Sequence, residues 1–166
     1  MSLTNLLIGL AVLAWLIYRQ LRVRRLHDRS GGIVLLVLAI YGAYSTYQVI
    51  RGSHLGGAVL GLLVGSLLVG STLGAIRAAT VKLWSQDGQI LRQGTWLTAT
   101  LWAVAFAVHL LVDRLITIIG GPKDLGDASI LLYLAISWWT QSLITQARAE
   151  TLRKDSRESP TITFTS

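Results

Sequence analysis

Five apolar runs, Leu3–Tyr18, Gly32–Ile50, Leu55–Ile76, Thr95–Ile119 and Ala128–Gln146, follow one another along this chain with only short charged or glycine-rich segments between them. A soluble core is written as apolar residues alternating with polar ones, whereas a run of about 20 apolar residues has the length needed to cross about 30 Å of hydrocarbon. Leu3–Tyr18 is the shortest run, and Arg19 and Arg22 beyond it can reach lipid headgroups along their aliphatic stems. The expected fold class is an all-α integral membrane protein, a bundle of five transmembrane helices over residues 1–147. A cytoplasmic tail, 148–166, continues the last helix and then becomes partly disordered, because it is polar, mixed in charge and ends in Ser-Pro-Thr sequence. The first run has no basic residue before it and no small-residue cleavage site after it, so it reads as a retained helix rather than a signal peptide.

Orientation follows from where lysine and arginine lie. Segment Arg19–Arg29, segment Arg77–Gly94 and the tail after Gln146 carry twelve between them, against Arg51 and Lys123 on the other side. Basic residues in short loops stay on the cytoplasmic side, so the N-terminus is expected outside and the C-terminus inside a multi-pass protein of the plasma membrane. The outward connections, Arg51–His54 and Gly120–Asp127, are short, which pairs the second helix with the third and the fourth with the fifth as antiparallel neighbours.

The formal net charge of +7 would suggest nucleic acid in a soluble protein. Here Arg19, Arg22, Arg24, Arg25 and Arg29 directly follow an apolar run, where a basic cytoplasmic face meets anionic lipid headgroups; no nucleic-acid partner is expected. With no cysteine the chain has no disulfide, thiolate metal site or thiol relay. His27, His54 and His109 are not at ligand spacing, and no phosphate loop, nucleophile elbow or zinc-protease motif is present. Neither a metal, a cofactor nor an enzymatic activity is expected.

Three local patterns carry more information. Asp87-Gly88 is a hairpin turn signal, and pairing outward from it sets Ser85 against Ile90, Trp84 against Leu91 and Leu83 against Arg92. A short cytoplasmic β-hairpin over 82–93 is one reading, and an amphipathic interfacial loop anchored by Trp84 is the other. In the third run Gly57, Gly61 and Gly65 stand at four-residue spacing, continued on a neighbouring ridge by Ser66, Gly70 and Gly74. Such rows let helix backbones approach closely in lipid, within the molecule or across a homodimer. In the fourth run His109 and Asp113 lie one turn apart on one face, with Arg114 beside them. Ionisable residues at membrane depth are either a functional site or a structural polar cluster. Tyr44, Ser45, Tyr47 and Gln48 of the second run and Tyr133 of the fifth are candidate partners in the outer half, with an aromatic belt as the competing explanation for Tyr47 and Tyr133.

A first run followed by Arg19-Gln20-Leu21-Arg22-Val23-Arg24-Arg25, and a connection from Arg77 through Trp84-Ser85-Gln86-Asp87-Gly88-Gln89-Ile90-Leu91-Arg92 into a run with a polar residue at His109, resembles the CcdC-like family of small bacterial membrane proteins. The resemblance implies an association with cytochrome c biogenesis. Packing signals abound and catalytic motifs do not, so the expected function is that of a non-catalytic accessory or assembly factor. It would act through its helices and basic face on a membrane-protein partner or as a homo-oligomer. The alternative is a small oligomeric transporter or proton-conducting protein using His109 and Asp113.

Overall fold

A computed structural model describes residues 14, 18, 21–25, 30–53, 55–86 and 89–158. Nearly all of the first apolar run, with Arg19, His27, Arg29, His54 and the Asp87-Gly88 turn, lies outside the described residues. Four helices follow one another: α1 (Ser30–Gly52), α2 (Gly57–Thr80), α3 (Trp96–Ile118) and α4 (Asp124–Glu158). Each is long and apolar enough to cross a membrane. Their outer faces carry large hydrophobic side chains, among them Ile33, Ile40, Leu68, Leu111 and Leu143, as lipid-facing helices do.

At one end of the bundle, β1 (Arg24–Arg25), β2 (Lys82–Gln86) and β3 (Gln89–Gln93) form an antiparallel sheet in the order β1-β3-β2. The hairpin has the register its turn sequence implies: Ser85 faces Ile90, Trp84 faces Leu91 and Leu83 faces Arg92. The third strand was not foreseen. Arg24 and Arg25 of the basic segment pair with Arg92 and Leu91, and Gln93 donates its amide to the Leu21 carbonyl at 3.1 Å, so part of this segment is backbone scaffold. A third strand also turns a marginal two-stranded ribbon into a sheet that can persist.

The helix ends have identifiable causes. Thr95 caps α3 by accepting from the Thr98 amide at 3.3 Å, while the Thr98 hydroxyl accepts from the Thr95 amide at 3.1 Å. These reciprocal bonds satisfy two of the amides that a helix start leaves unpaired. Beyond α3, Gly120 takes a φ of 83°, a left-handed conformation open to glycine, and turns the chain towards Pro122 and α4. The last helix begins at Asp124, four residues before the start of its apolar run, so Gly126 lies buried inside α4 rather than in an exposed connection.

The pairing expected from loop length needs correction. Although Gly52 and Gly57 are close in sequence, α1 and α2 each pack along α4, which lies between them. A short loop holds only two helix ends together; Val49 and Ile50 do meet the Val59, Leu63, Ile116 and Leu125 cluster there, and beyond it the helices diverge. Gly42 of α1 sits against the backbone of Leu131 and Leu132, with Leu132 Cα 2.8 Å from where a Cβ would stand. The Thr46 hydroxyl, 2.7 Å from the Gly42 carbonyl and 3.3 Å from the Ala128 carbonyl, holds the next turn. On the other flank Ser71 and Thr140 hydroxyls lie 3.0 Å apart between α2 and α4. At 35 residues α4 is about 52 Å long, more than a bilayer core requires. It therefore passes the end of α2, where Arg148 donates to the Ala78 and Val81 carbonyls and Ala149 is still buried. Those carbonyls at the end of α2 have no intrahelical partner, so the arginine completes the helix end.

Candidate functional site

A subset of the polar side chains buried between α2, α3 and α4 forms a column. It starts near the sheet with Arg77 in the last turn of α2, whose guanidinium stacks over the Trp102 ring at 3.8 Å from the centroid and donates to the Ser137 hydroxyl. That hydroxyl donates in turn to the Gly70 carbonyl at 2.7 Å. Arg77 and Ser137 are both fully buried. One turn along α4, the Tyr133 hydroxyl donates to the Ala105 carbonyl at 2.8 Å, and the Tyr133 ring lies 4.9 Å from that of His109, tilted by 36°. His109 Nε2 is 3.3 Å from the Gly126 carbonyl, and Ser129 donates to the same oxygen at 3.4 Å. Asp113 closes the column, its carboxyl occupying the space that a side chain at residue 126 would need. From Trp102 to Asp113 the column follows α3 for about 16 Å, roughly half the thickness of a bilayer core.

Why these residues meet is legible in the backbone. Ser66, Gly70, Gly74 and Arg77 lie at spacings of four, four and three, on one face of α2. Gly70 leaves room for the Tyr133 ring, with Tyr133 Cε2 2.6 Å from a Cβ position, and Gly74 lies directly against the Ser137 carbonyl. Without side chains at 70 and 74, the α4 backbone comes close enough for Ser137 and Tyr133 to reach across. Gly126 does the same for Asp113 on the α3 side.

The predicted site residues divide. His109 and Asp113 both face α4, as their spacing implies, whereas the Arg114 side chain is exposed. Tyr133 is buried against His109 and does not serve an interfacial belt; Tyr47, Tyr44 and Gln48 point outward from α1 and do not join it. Of the expected packing row, Gly70 and Gly74 make close approaches, but Gly57, Gly61 and Gly65 have no atom within 4 Å of a Cβ position among the described residues. Those three lie on the neighbouring ridge, which α4 does not cover. Of the basic face, Arg24 and Arg25 are in β1, and Arg22 lies over the Tyr18 ring at 5.5 Å.

Arg77 is the residue that sequence reasoning assigned elsewhere, since it was counted with the cytoplasmic loop. The signal that would have found it is its position three residues after Gly74, on the same face as the small-residue row. Several buried polar atoms have no hydrogen-bond partner among the described residues: Arg77 Nε and Nη1, Trp102 Nε1, His109 Nδ1, Asp113 Oδ1 and Gln141 Oε1. Such atoms cost about 1–3 kcal/mol each when left dry. With Nε2–H donating to the Gly126 carbonyl, a neutral His109 carries an acceptor lone pair at Nδ1. Outside the column, an open cleft of about 180 Å³ between α1 and α4 is lined by Ala39, Ala135, Ile136, Trp139 and Thr140 and is almost wholly apolar. Among the described residues no three His, Asp or Glu side chains are grouped to hold a metal ion. Comparison with protein-family models, with curated proteins and with solved structures gives no match.

Proposed function

We propose that this chain is a non-catalytic accessory or assembly factor of the plasma membrane, with five spans, an external N-terminus and a cytoplasmic sheet and C-terminus. The observation that carries the reading is how the column is built. Ser137 to Gly70, Tyr133 to Ala105 and Arg77 to Ser137 are bonds from one helix to the next, so these buried polar groups fix helix positions. Arg77 also places a basic group in the same interior, and a fixed cation there would oppose entry of protons and other cations. Arg24 and Arg25 in the sheet lie at the same end of the bundle as Arg148, a surface suited to anionic headgroups or to a partner's acidic loop. The resemblance to CcdC-like proteins directs the search for that partner towards cytochrome c biogenesis.

A second reading, a proton-conducting oligomer, is favoured by the free positions at His109 Nδ1 and Asp113 Oδ1. Flux measured in proteoliposomes separates the two: the accessory reading expects none above empty vesicles. Proton flux abolished by both His109→Leu and Asp113→Asn would overturn it. Affinity purification from native membranes should return a larger membrane protein in constant ratio to this chain. Orientation is tested on the cysteine-free background. Lys123→Cys, at an exposed position, should react with an impermeant maleimide in intact cells, and Ser85→Cys only after lysis; the opposite pattern reverses the topology.

A further inference from the structure

The first apolar run is tethered at the end nearest the sheet. Gln93 donates to the Leu21 carbonyl at 3.1 Å, and Arg24 and Arg25 pair with Arg92 and Leu91 of β3, the strand that leads through Thr95 into α3. A run that crosses the membrane from this point sets out beside α3 and is antiparallel to it. Its rotation is marked as well: Ala14 and Tyr18, the two described residues of the run, are helical and exposed, and Arg22 lies over the Tyr18 ring. Four residues apart, they share one face, which leaves Asn5, Gly9, Val12 and Leu16 on the other.

Helix α3 has a flank to receive that face. Thr98 and Ile116 turn towards α2, where the Thr98 and Thr80 hydroxyls are 2.7 Å apart and Ile116 packs with Val59 and Leu63. Ala99, Phe106 and Leu110, at spacings of seven and four, lie on the opposite side, before the exposed face begins at Ala103. Helix α1 packs along α4 and not along α3. Even so, Ala99 and Phe106 are only 4% and 7% exposed, and Leu110 is half-buried. One turn beyond Leu110, Asp113 Oδ1 is buried without a partner among the described residues.

We propose that the first apolar run packs antiparallel along the Ala99, Phe106 and Leu110 flank of α3, with Gly9 against the Phe106 ring and Asn5 turned to Asp113, and so closes the outer end of the polar column. With Leu21 level with Gln93 and about 1.5 Å of rise per residue on both sides, Leu16 comes level with Ala99, Gly9 with Phe106, and Asn5 with the turn between His109 and Asp113. Gly9 has no side chain to hold the ring off, as with small residues wherever membrane helices meet closely. A carboxamide in hydrocarbon needs a polar partner, and the Asn5 amide can donate to the carboxyl oxygen that lacks one. Lipid chains would cover the apolar flank and satisfy neither group.

The inference rests on the reading of this run as a span, and the test separates the two. No native cysteine interferes. Under mild oxidation of intact membranes, the variants Asn5→Cys, Leu110→Cys and Leu16→Cys, Ala99→Cys should each form an intramolecular disulfide in most molecules. Asn5→Cys, Gly61→Cys and Asn5→Cys, Tyr44→Cys should not. A disulfide to residue 61 or 44, or none in either α3 pair, would overturn the docking. Ser2→Cys should react with an impermeant maleimide in intact cells; reaction only after lysis removes the span reading and the inference together, whereas external labelling without a disulfide to α3 removes the inference alone. A second measurement needs no oxidation. Gly9→Leu should lower the melting temperature in detergent by several degrees and Ala14→Leu, on the exposed face, should leave it unchanged; an unaltered melting temperature for Gly9→Leu contradicts the contact.

Discussion

The two halves of α2 carry the same small-residue spacing and meet different fates. Near the short loop, Gly57, Gly61 and Gly65 face open space among the described residues; near the sheet, Gly70 and Gly74 are pressed against Tyr133 and the Ser137 carbonyl. Spacing alone therefore identifies a ridge on which backbones can approach, and the opposing helix decides whether they do. Where α4 supplies a hydroxyl that can cross the gap, the glycines become the floor of a polar column. Where it does not, they are simply small residues on an outer ridge.

Substitutions that fill the ridge test this contrast most strongly. Gly74→Val puts side-chain atoms into the Ser137 carbonyl and should cost about 3 kcal/mol or prevent folding, as overpacking of a tight contact does. A large fall in detergent melting temperature and membrane abundance is the expected reading. Ser137→Ala comes next, because it takes from Arg77 the hydroxyl to which its guanidinium donates and leaves a buried N–H without a partner, at about 1–3 kcal/mol. Tyr133→Phe keeps the ring against His109 and loses only the bond to the Ala105 carbonyl, so about 1 kcal/mol is expected. At the small end, Gly61→Ala should be neutral or stabilising by about 0.5–1 kcal/mol, since alanine favours the helix and meets no neighbour. If Gly61→Ala destabilised as much as Gly74→Val, the two halves would not differ and a further element would have to cover the outer ridge.

Much of this architecture was readable from the chain. Apolar runs of membrane length marked the four described helices, and Asp87-Gly88 with alternating neighbours set the hairpin register, because both signals are local. The facing of His109 and Asp113 followed from a spacing of four. What escaped was long-range. Whether α1 packs on α2 or on α4 depends on which surfaces fit, and the short Gly52–Gly57 loop suggested the wrong neighbour. Arg77 looked like a loop residue because basic side chains after an apolar run usually sit in headgroups; its burial depends on Trp102 and Ser137, 25 and 60 residues away. Pairing of Arg24 and Arg25 with β3 was hidden for the same reason, since a charged segment gives no strand pattern of its own.

The central claim is that α4 lies inside the bundle and that α2 docks along it through the ridge leading to Arg77. Ser71 and Thr140, whose hydroxyls are 3.0 Å apart across that interface, provide the direct measurement. In the variant Ser71→Cys, Thr140→Cys, mild oxidation of intact membranes should form an intramolecular disulfide in nearly all molecules, seen as loss of maleimide labelling and a reductant-reversible mobility shift of the monomer band. Two thiols that both remain free and reactive after oxidation would contradict the claim, since they would show that α2 and α4 do not share this interface.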